Sequence, residues 1–493
     1  MAAPRALAAG LAIVAGSVGS VAMLAGCGDS YNAVLDSRPI VLQRAEMGGG
    51  LTDPGALLVT ASLPDSPGQL SSMLVDTGTA LTLLDAPVAT TATETAGFDL
   101  IDPMPPPPPG QPAPGPAVRG TFRGVSLLRL PLQPTGNGSP PLGGVLGGDI
   151  LKRYSVDFRL GATCIDELTK LTKICSSMTF WAHLGPDLGF LEDAGYAVIR
   201  FSPFGGGETT AQGDADFLGE RGPLVLAPTR IVLRACAAPT PFTPDLPTDM
   251  CCKNADAARL ATGADLALVL DTGVGPMVLG QSAWTRVKAK MAAAMMPLPA
   301  EQTGGQLLIA TWPTPIEATW STLPKFALVD NEIGSDLDPG PCVELGRARR
   351  IEQVSYQIVD GTMPDACTQP CDNDPRETDK AQNSAAYVEL TGTIPVAVIA
   401  DDEPYLQGLR FDVRPEGPEV DGLLGAGALK RARVEIDSVS SSPRAVFSCE
   451  LDVPRTECWA AARCPRLPDA QSEHRCFGLP PHRLAPMCAA SGC

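Results

Sequence analysis

The chain is poor in histidine: only His183, His474 and His482 occur among its 493 residues. That is too little material for a Ser-His or Cys-His catalytic arrangement, or for a histidine-rich zinc site. No Cys-x-x-Cys is present, so neither a zinc ribbon nor a thioredoxin-type redox pair is indicated. No Gly-x-Ser-x-Gly elbow occurs, and Gly205-Gly-Gly207 lacks the lysine that follows in a phosphate loop and reads as a turn. Asp330, Glu332, Asp336 and Asp338 match no EF-hand spacing and read as a solvated acidic loop. Positive charge is scarce as well. Thirty-seven Lys and Arg against 55 Asp and Glu leave a net charge of −18, which would repel a polyanion and excludes nucleic acid as a partner. Neither a metal nor a cofactor is called for. What is abundant is glycine and proline, 50 and 49 residues, in a chain that is 44% apolar. This composition suits a globular protein of many turns and short strands.

The N-terminus reads as an address. Arg5 precedes an apolar, small-residue run from Ala6 to Gly26, and no acid appears before Asp29. Leu24-Ala25-Gly26-Cys27 resembles a bacterial lipobox, which implies lipidation of Cys27 and a membrane-anchored protein of the cell envelope or periplasm. An ordinary secretory signal and an uncleaved anchor helix are the alternatives, since 21 residues can just span a bilayer. No second apolar run of that length follows, so the body is expected to be soluble. Setting Cys27 aside leaves 14 cysteines, an even number that fits an oxidising compartment and up to seven disulfides. Local pairing would join Cys164 with Cys175, and Cys367 with Cys371 or Cys342.

Strand-like runs recur about every ten residues and are broken by Gly and Pro, an all-β signature. Residues 98–118 hold a stiff polyproline-like stretch. One pattern occurs twice. At an offset of 195, Asp76-Thr77-Gly78 falls on Asp271-Thr272-Gly273. At an offset of 278, Gly144–Arg159 falls on Gly422–Asp437, with seven of sixteen positions identical: Gly144, Leu146, Gly147, Leu151, Lys152, Arg153 and Val156. Two landmarks in the same order indicate two homologous lobes, the second carrying 83 more residues between them. The expected organisation is a signal peptide over 1–27, a tether over 28–38, an N-terminal β lobe over 39–160 and an interlobe connection over 161–194. A C-terminal β lobe with a long insertion follows over 195–448, then a Cys-rich tail over 449–493 too short to bury a core without cross-links. Trp181, Trp284, Trp312, Trp320 and Trp459 read as core or cleft-lining residues.

The chemistry lies in the two Asp-Thr-Gly turns. Each follows an apolar strand, and glycine permits a tight turn that presents the carboxylate. Two such turns face to face would bring Asp76 and Asp271 together, and carboxylates that close hold one proton between them. One can then take a proton from water while the other hydrogen-bonds a carbonyl oxygen. Thr77 and Thr272 can brace the turns. Which Asp is acid and which is base is left open.

These residues resemble the aspartic peptidases of the pepsin and retropepsin type. The matching elements are Val75-Asp76-Thr77-Gly78-Thr79 and Leu270-Asp271-Thr272-Gly273, each followed by an apolar-apolar-Gly element, Val145-Leu146-Gly147 and Leu423-Leu424-Gly425. The resemblance implies an all-β, bilobal pepsin-like fold with pseudo-two-fold lobes. It further implies catalytic Asp76 and Asp271, dyad support from Thr77, Gly78, Thr79, Thr272 and Gly273, structural Gly147 and Gly425, and a peptide or protein substrate in the interlobe cleft of a monomer. Val274 stands where one lobe often carries Ser or Thr. Between Asp76 and Leu146 there is no Tyr or Trp to tip a flap, only Phe98 and Phe122, and the polyproline loop takes the place of the flap tip. The function expected is an exported, lipid-anchored aspartic endopeptidase. The alternative is a catalytically inactive pepsin-like lipoprotein that binds peptides or envelope partners.

Overall fold

The computed structural model describes residues 32–36, 38–45, 55–65, 69–79, 81–89, 94–102, 117–132, 142–160, 163–165, 172–174, 176–181, 196–201, 203–204, 230–240, 263–330, 340–346, 348–349, 386–413, 419–438, 443–450 and 457–461. The leader with Cys27, the polyproline stretch 103–116, Cys175, Cys367, Cys371 and everything after 461 lie outside them. The expected all-β architecture is present. A 13-stranded and a 9-stranded sheet account for nearly every strand, beside a small hairpin of Thr163–Ile165 with Thr172–Ile174.

The duplication read from sequence is repeated in the strand order. In the first half, Leu70–Val75 lies between Ala56–Ser62, antiparallel, and Leu142–Leu146, parallel. Leu142–Leu146 pairs antiparallel with Leu83–Asp85, which runs parallel to Ala117–Leu130. In the second half, Ala264–Asp271 lies between Arg230–Ala237, antiparallel, and Gly422–Gly425, parallel. Gly422–Gly425 pairs antiparallel with Met277–Gly280, which runs parallel to Tyr387–Ile399. Registers agree too: Val75 sits opposite Leu146, and Leu270, 195 residues on, sits opposite Leu424. The strands that carry the two motifs are buried on both faces, which is why Met73-Leu-Val and Leu268-Val-Leu are continuous apolar runs rather than alternating ones.

The halves are joined by a sheet in the order Ile40–Ala45, Ser176–Trp181, Ser155–Arg159, Ala432–Asp437, Arg444–Cys449, Ala197–Arg200. At its centre Asp157 faces Glu435 across an antiparallel pair, with Val156 opposite Ile436 and Phe158 opposite Val434. Asp157 and Glu435 are counterparts under the 278-residue offset, so the pseudo-two-fold axis passes through this pair. One apolar core runs through both halves, from Ile40 and Phe98 to Trp284 and Phe447.

Several local expectations are corrected. Cys342 bonds to Cys236, not to Cys367. Residues 340–346 fold onto the strand Arg230–Ala237, and Gly263 leaves the space: a β-carbon there would lie 2.5 and 2.8 Å from the two sulfurs. Asp330 is not a solvated loop acid. It is buried and takes an ion pair from Arg200 at 3.0 Å. Trp181 is an exposed surface residue, whereas Trp284 and Trp320 are core. The segment after residue 449 contributes structure that sequence periodicity did not reveal: Cys449 bonds to Cys458, and Cys458–Ala461 adds a strand to Tyr387–Ile399. Two disulfides fit an oxidising, exported environment. Among the described residues no helix is long and apolar enough to cross a membrane.

Candidate active site

Both Asp-Thr-Gly turns begin where a buried strand ends. Asp76 donates its backbone N–H to Leu146 O at 3.0 Å, and Asp271 pairs in register with Gly425. The two apolar-apolar-Gly elements thus hold the turns from beneath. No side chain fits there. A β-carbon on Gly147 would lie 2.1 Å from Leu81 O, and one on Gly425 would lie 2.1 Å from Pro276 O.

Crossed threonines lock the turns together. The Thr77 hydroxyl donates to Leu270 O at 3.1 Å and accepts the Thr272 N–H at 3.1 Å. The Thr272 hydroxyl donates to Val75 O at 2.9 Å and accepts the Thr77 N–H at 3.1 Å. Four buried backbone groups are satisfied by two side chains, each belonging to the other half of the chain.

The carboxylates face each other across this lock. A β-carbon on Gly78 would lie 2.5 Å from the Asp271 carboxyl carbon, and one on Gly273 would lie 2.5 Å from the Asp76 carboxyl carbon. Glycine is required at both places because each turn touches the opposite acid. Both aspartates are 3% exposed, and they stand close enough that the charge of Asp76 acts on Asp271. Burial, then the adjacent Asp76 charge, pushes Asp271 well above the usual carboxylate range.

The two acids are not dressed alike. Asp76 accepts N–H groups from Gly78 at 2.7 Å and Thr79 at 2.9 Å on Oδ1, and the Thr79 hydroxyl at 2.6 Å on Oδ2. Asp271 accepts the Gly273 N–H at 2.9 Å, and Val274 offers no hydroxyl. Three donors thus hold the Asp76 carboxyl group, whereas burial and the neighbouring Asp76 charge raise Asp271, so the two acids sit in unlike surroundings. A water between them can be deprotonated on the Asp76 side while Asp271 donates to an electrophilic oxygen.

Charged and aromatic groups surround the pair, and sequence reasoning missed most of them. Tyr405, on the helix Pro404–Val413, brings its hydroxyl to 3.5 Å from Asp271 Oδ2. Arg230 heads the strand Arg230–Ala237 and pairs with Asp412 of that helix at 2.8 Å, and its charge acts on Asp271. Lys152 is pushed down to about 7 by burial and by the charge of Arg230, with the Asp149 and Asp76 carboxylates opposing. Lys152 had one signal, its identity with Lys430 in the repeat. Tyr405 and Arg230 had none, being 134 and 41 residues from Asp271 in the chain and adjacent only after folding. Phe98 and Phe122, the aromatics present where a flap would be sought, stack on each other at 5.1 Å inside the core. They belong to the hairpin of Glu94–Asp102 with Ala117–Leu130, whose connecting residues carry the polyproline stretch.

Two sheets related by a pseudo-two-fold, with paired acidic turns at the junction, define an all-β bilobal protein bearing a carboxylate pair. Among solved structures the chain is similar to the aspartic proteinase from Irpex lacteus, over 84% of this chain and 99% of that one, at 9% identity and a TM-score of 0.31. No protein-family model and no curated protein matches the sequence. The functional reading therefore rests on the geometry of the site.

Proposed function

We propose that the protein is an aspartic-type endopeptidase that hydrolyses peptide bonds with a water activated between Asp76 and Asp271. The observation that carries this is the pair itself: two buried carboxyl groups, each against the glycine of the other's turn, held by reciprocal threonine bonds. Asp76 takes a proton from the water as its oxygen bonds to the scissile carbonyl carbon. Asp271 hydrogen-bonds and then protonates the carbonyl oxygen, giving a neutral tetrahedral diol. Collapse breaks the C–N bond, with one proton passing to the leaving nitrogen and one returning to Asp271. No cofactor enters the scheme.

The substrate is a peptide or unfolded protein lying between the halves, and the protein acts as a monomer. Thr77, Gly78, Thr79, Thr272 and Gly273 support the dyad, while Gly147 and Gly425 hold its turns. Export and anchoring through a lipid on Cys27 place the activity at the cell envelope. A peptide-library digest by the chain from residue 28 onward, run beside Asp271→Ala, tests the reading. Cleavage that disappears in the variant supports it. A folded, uncleaving wild type that still binds library peptides supports the inactive, peptide-binding alternative.

A further inference from the structure

The donor sets of the two carboxylates differ at one place. Thr79 and Val274 are counterparts under the 195-residue offset. Thr79 gives Asp76 Oδ2 a hydroxyl at 2.6 Å, whereas Val274 is buried and has none to give Asp271. The group that reaches the corresponding oxygen, Asp271 Oδ2, is the hydroxyl of Tyr405 at 3.5 Å, the outer limit of a hydrogen bond.

Tyr405 is not there by accident of a surface rotamer. Its ring packs edge-on against Trp312 with centroids 5.3 Å apart. Trp312 lies in the 308–315 turn, where Ala310 and Leu308 join an apolar cluster that includes Leu58, Leu74 and Val145 of the other half. The helix of Tyr405 is clamped on two sides. Arg410 donates to Asp401 Oδ1 at 3.3 Å and to Val420 O at 3.0 Å, and Asp412 accepts Arg230. Burial, then the nearby Asp271 charge, pushes the Tyr405 phenol well above its ordinary range, so it remains a donor.

We propose that Tyr405 is a further catalytic residue, the hydroxyl donor to the Asp271 side of the dyad, supplied by the C-terminal half in place of the hydroxyl that Val274 lacks. The inference rests on the dyad reading above. It predicts that the two positions are interchangeable: a hydroxyl at 274 can do the work of the one at 405.

The test uses Tyr405→Phe, Val274→Thr and the double variant, with two readouts. The first is peptide hydrolysis. Tyr405→Phe should lower kcat by about 10- to 100-fold, the worth of a hydrogen bond to a charged group, with KM little changed. Loss of the donor also disfavours ionised Asp271, so the basic limb of the pH–rate profile should move to higher pH. Adding Val274→Thr should restore about tenfold of the rate and bring the limb back. The second readout needs no turnover: the carboxyl carbon resonance of Asp271 followed by NMR through a pH titration. Its midpoint should rise in Tyr405→Phe and fall again in the double variant, and Val274→Thr alone should lower it. A midpoint that ignores Tyr405→Phe, or a double variant no better than the single, overturns the proposal. If the wild type fails to hydrolyse peptides while the midpoints move as described, the peptidase reading and the catalytic role of Tyr405 fail together, and only its hydroxyl donation to Asp271 stands.

Discussion

Single residues at the dyad are constrained by space as much as by charge. Gly78 and Gly273 each touch the opposite carboxyl group, so Gly78→Ala pushes a methyl group into Asp271. Such overpacking should cost about 1–3 kcal/mol in chemical denaturation and abolish activity by separating the acids. Asp149 offers a pH-dependent test. Burial, opposed by the Thr82 hydroxyl bond at 2.7 Å, pushes it from 3.8 up to about 6. The native state therefore binds this proton more tightly than the unfolded chain does. The associated stability is fully present below the unfolded value of 3.8 and is lost as pH rises to about 6, a loss of roughly 3 kcal/mol. Asp149→Asn keeps an oxygen for Thr82 and should flatten that part of the stability–pH curve. Denaturation series from pH 3 to pH 8 would show it, and an unchanged slope would contradict it. The aspartates, threonines and glycines of the two turns were legible in the sequence because the turn chemistry is local and occurs twice. Tyr405, Arg230 and Asp412 were not legible, because their relation to Asp271 exists only in three dimensions.

At the scale of elements, the matched strand orders explain why two short motifs were enough to read the architecture. Each motif fixes a strand, a turn and a parallel partner, and the apolar runs on either side fix burial. What departs from the repeat was hidden. The pairing of Cys236 with Cys342 spans 106 residues, while that of Cys449 with Cys458 spans 9, and no spacing rule selects the longer loop. By loop-closure entropy the first constrains the unfolded chain by about 5 kcal/mol and the second by about 2.5 kcal/mol. Replacing Cys236 and Cys342 together by alanine should lower stability about twice as much as replacing Cys449 and Cys458, measured by denaturant midpoints under oxidising conditions. Equal losses would mean that the strand Cys458–Ala461, not the cross-link, carries the effect of the shorter bridge. Asp330 departs from the solvated-loop expectation for a related reason: it is buried by an arginine, Arg200, that lies 130 positions earlier, while Glu332, Asp336 and Asp338 lie outside the described residues.

For the whole molecule, the pseudo-two-fold passes through Asp157 and Glu435 in the joining sheet, and crossed threonine bonds relate the acidic turns in the same way. Symmetry brings the acids together, while what surrounds them differs: Thr79 gives its hydroxyl to Asp76, and on the other side Val274 has none and the Tyr405 hydroxyl lies 3.5 Å from Asp271. The most direct test is kcat/KM for an unfolded protein substrate across acidic pH, measured for the chain from residue 28 onward and for Asp76→Asn and Asp271→Asn. The account predicts pepstatin-sensitive cleavage by the parent chain that falls by at least about a thousandfold in either variant, because both carboxyl groups take part in every proton transfer. Cleavage that persists at the parent rate in either variant would contradict it.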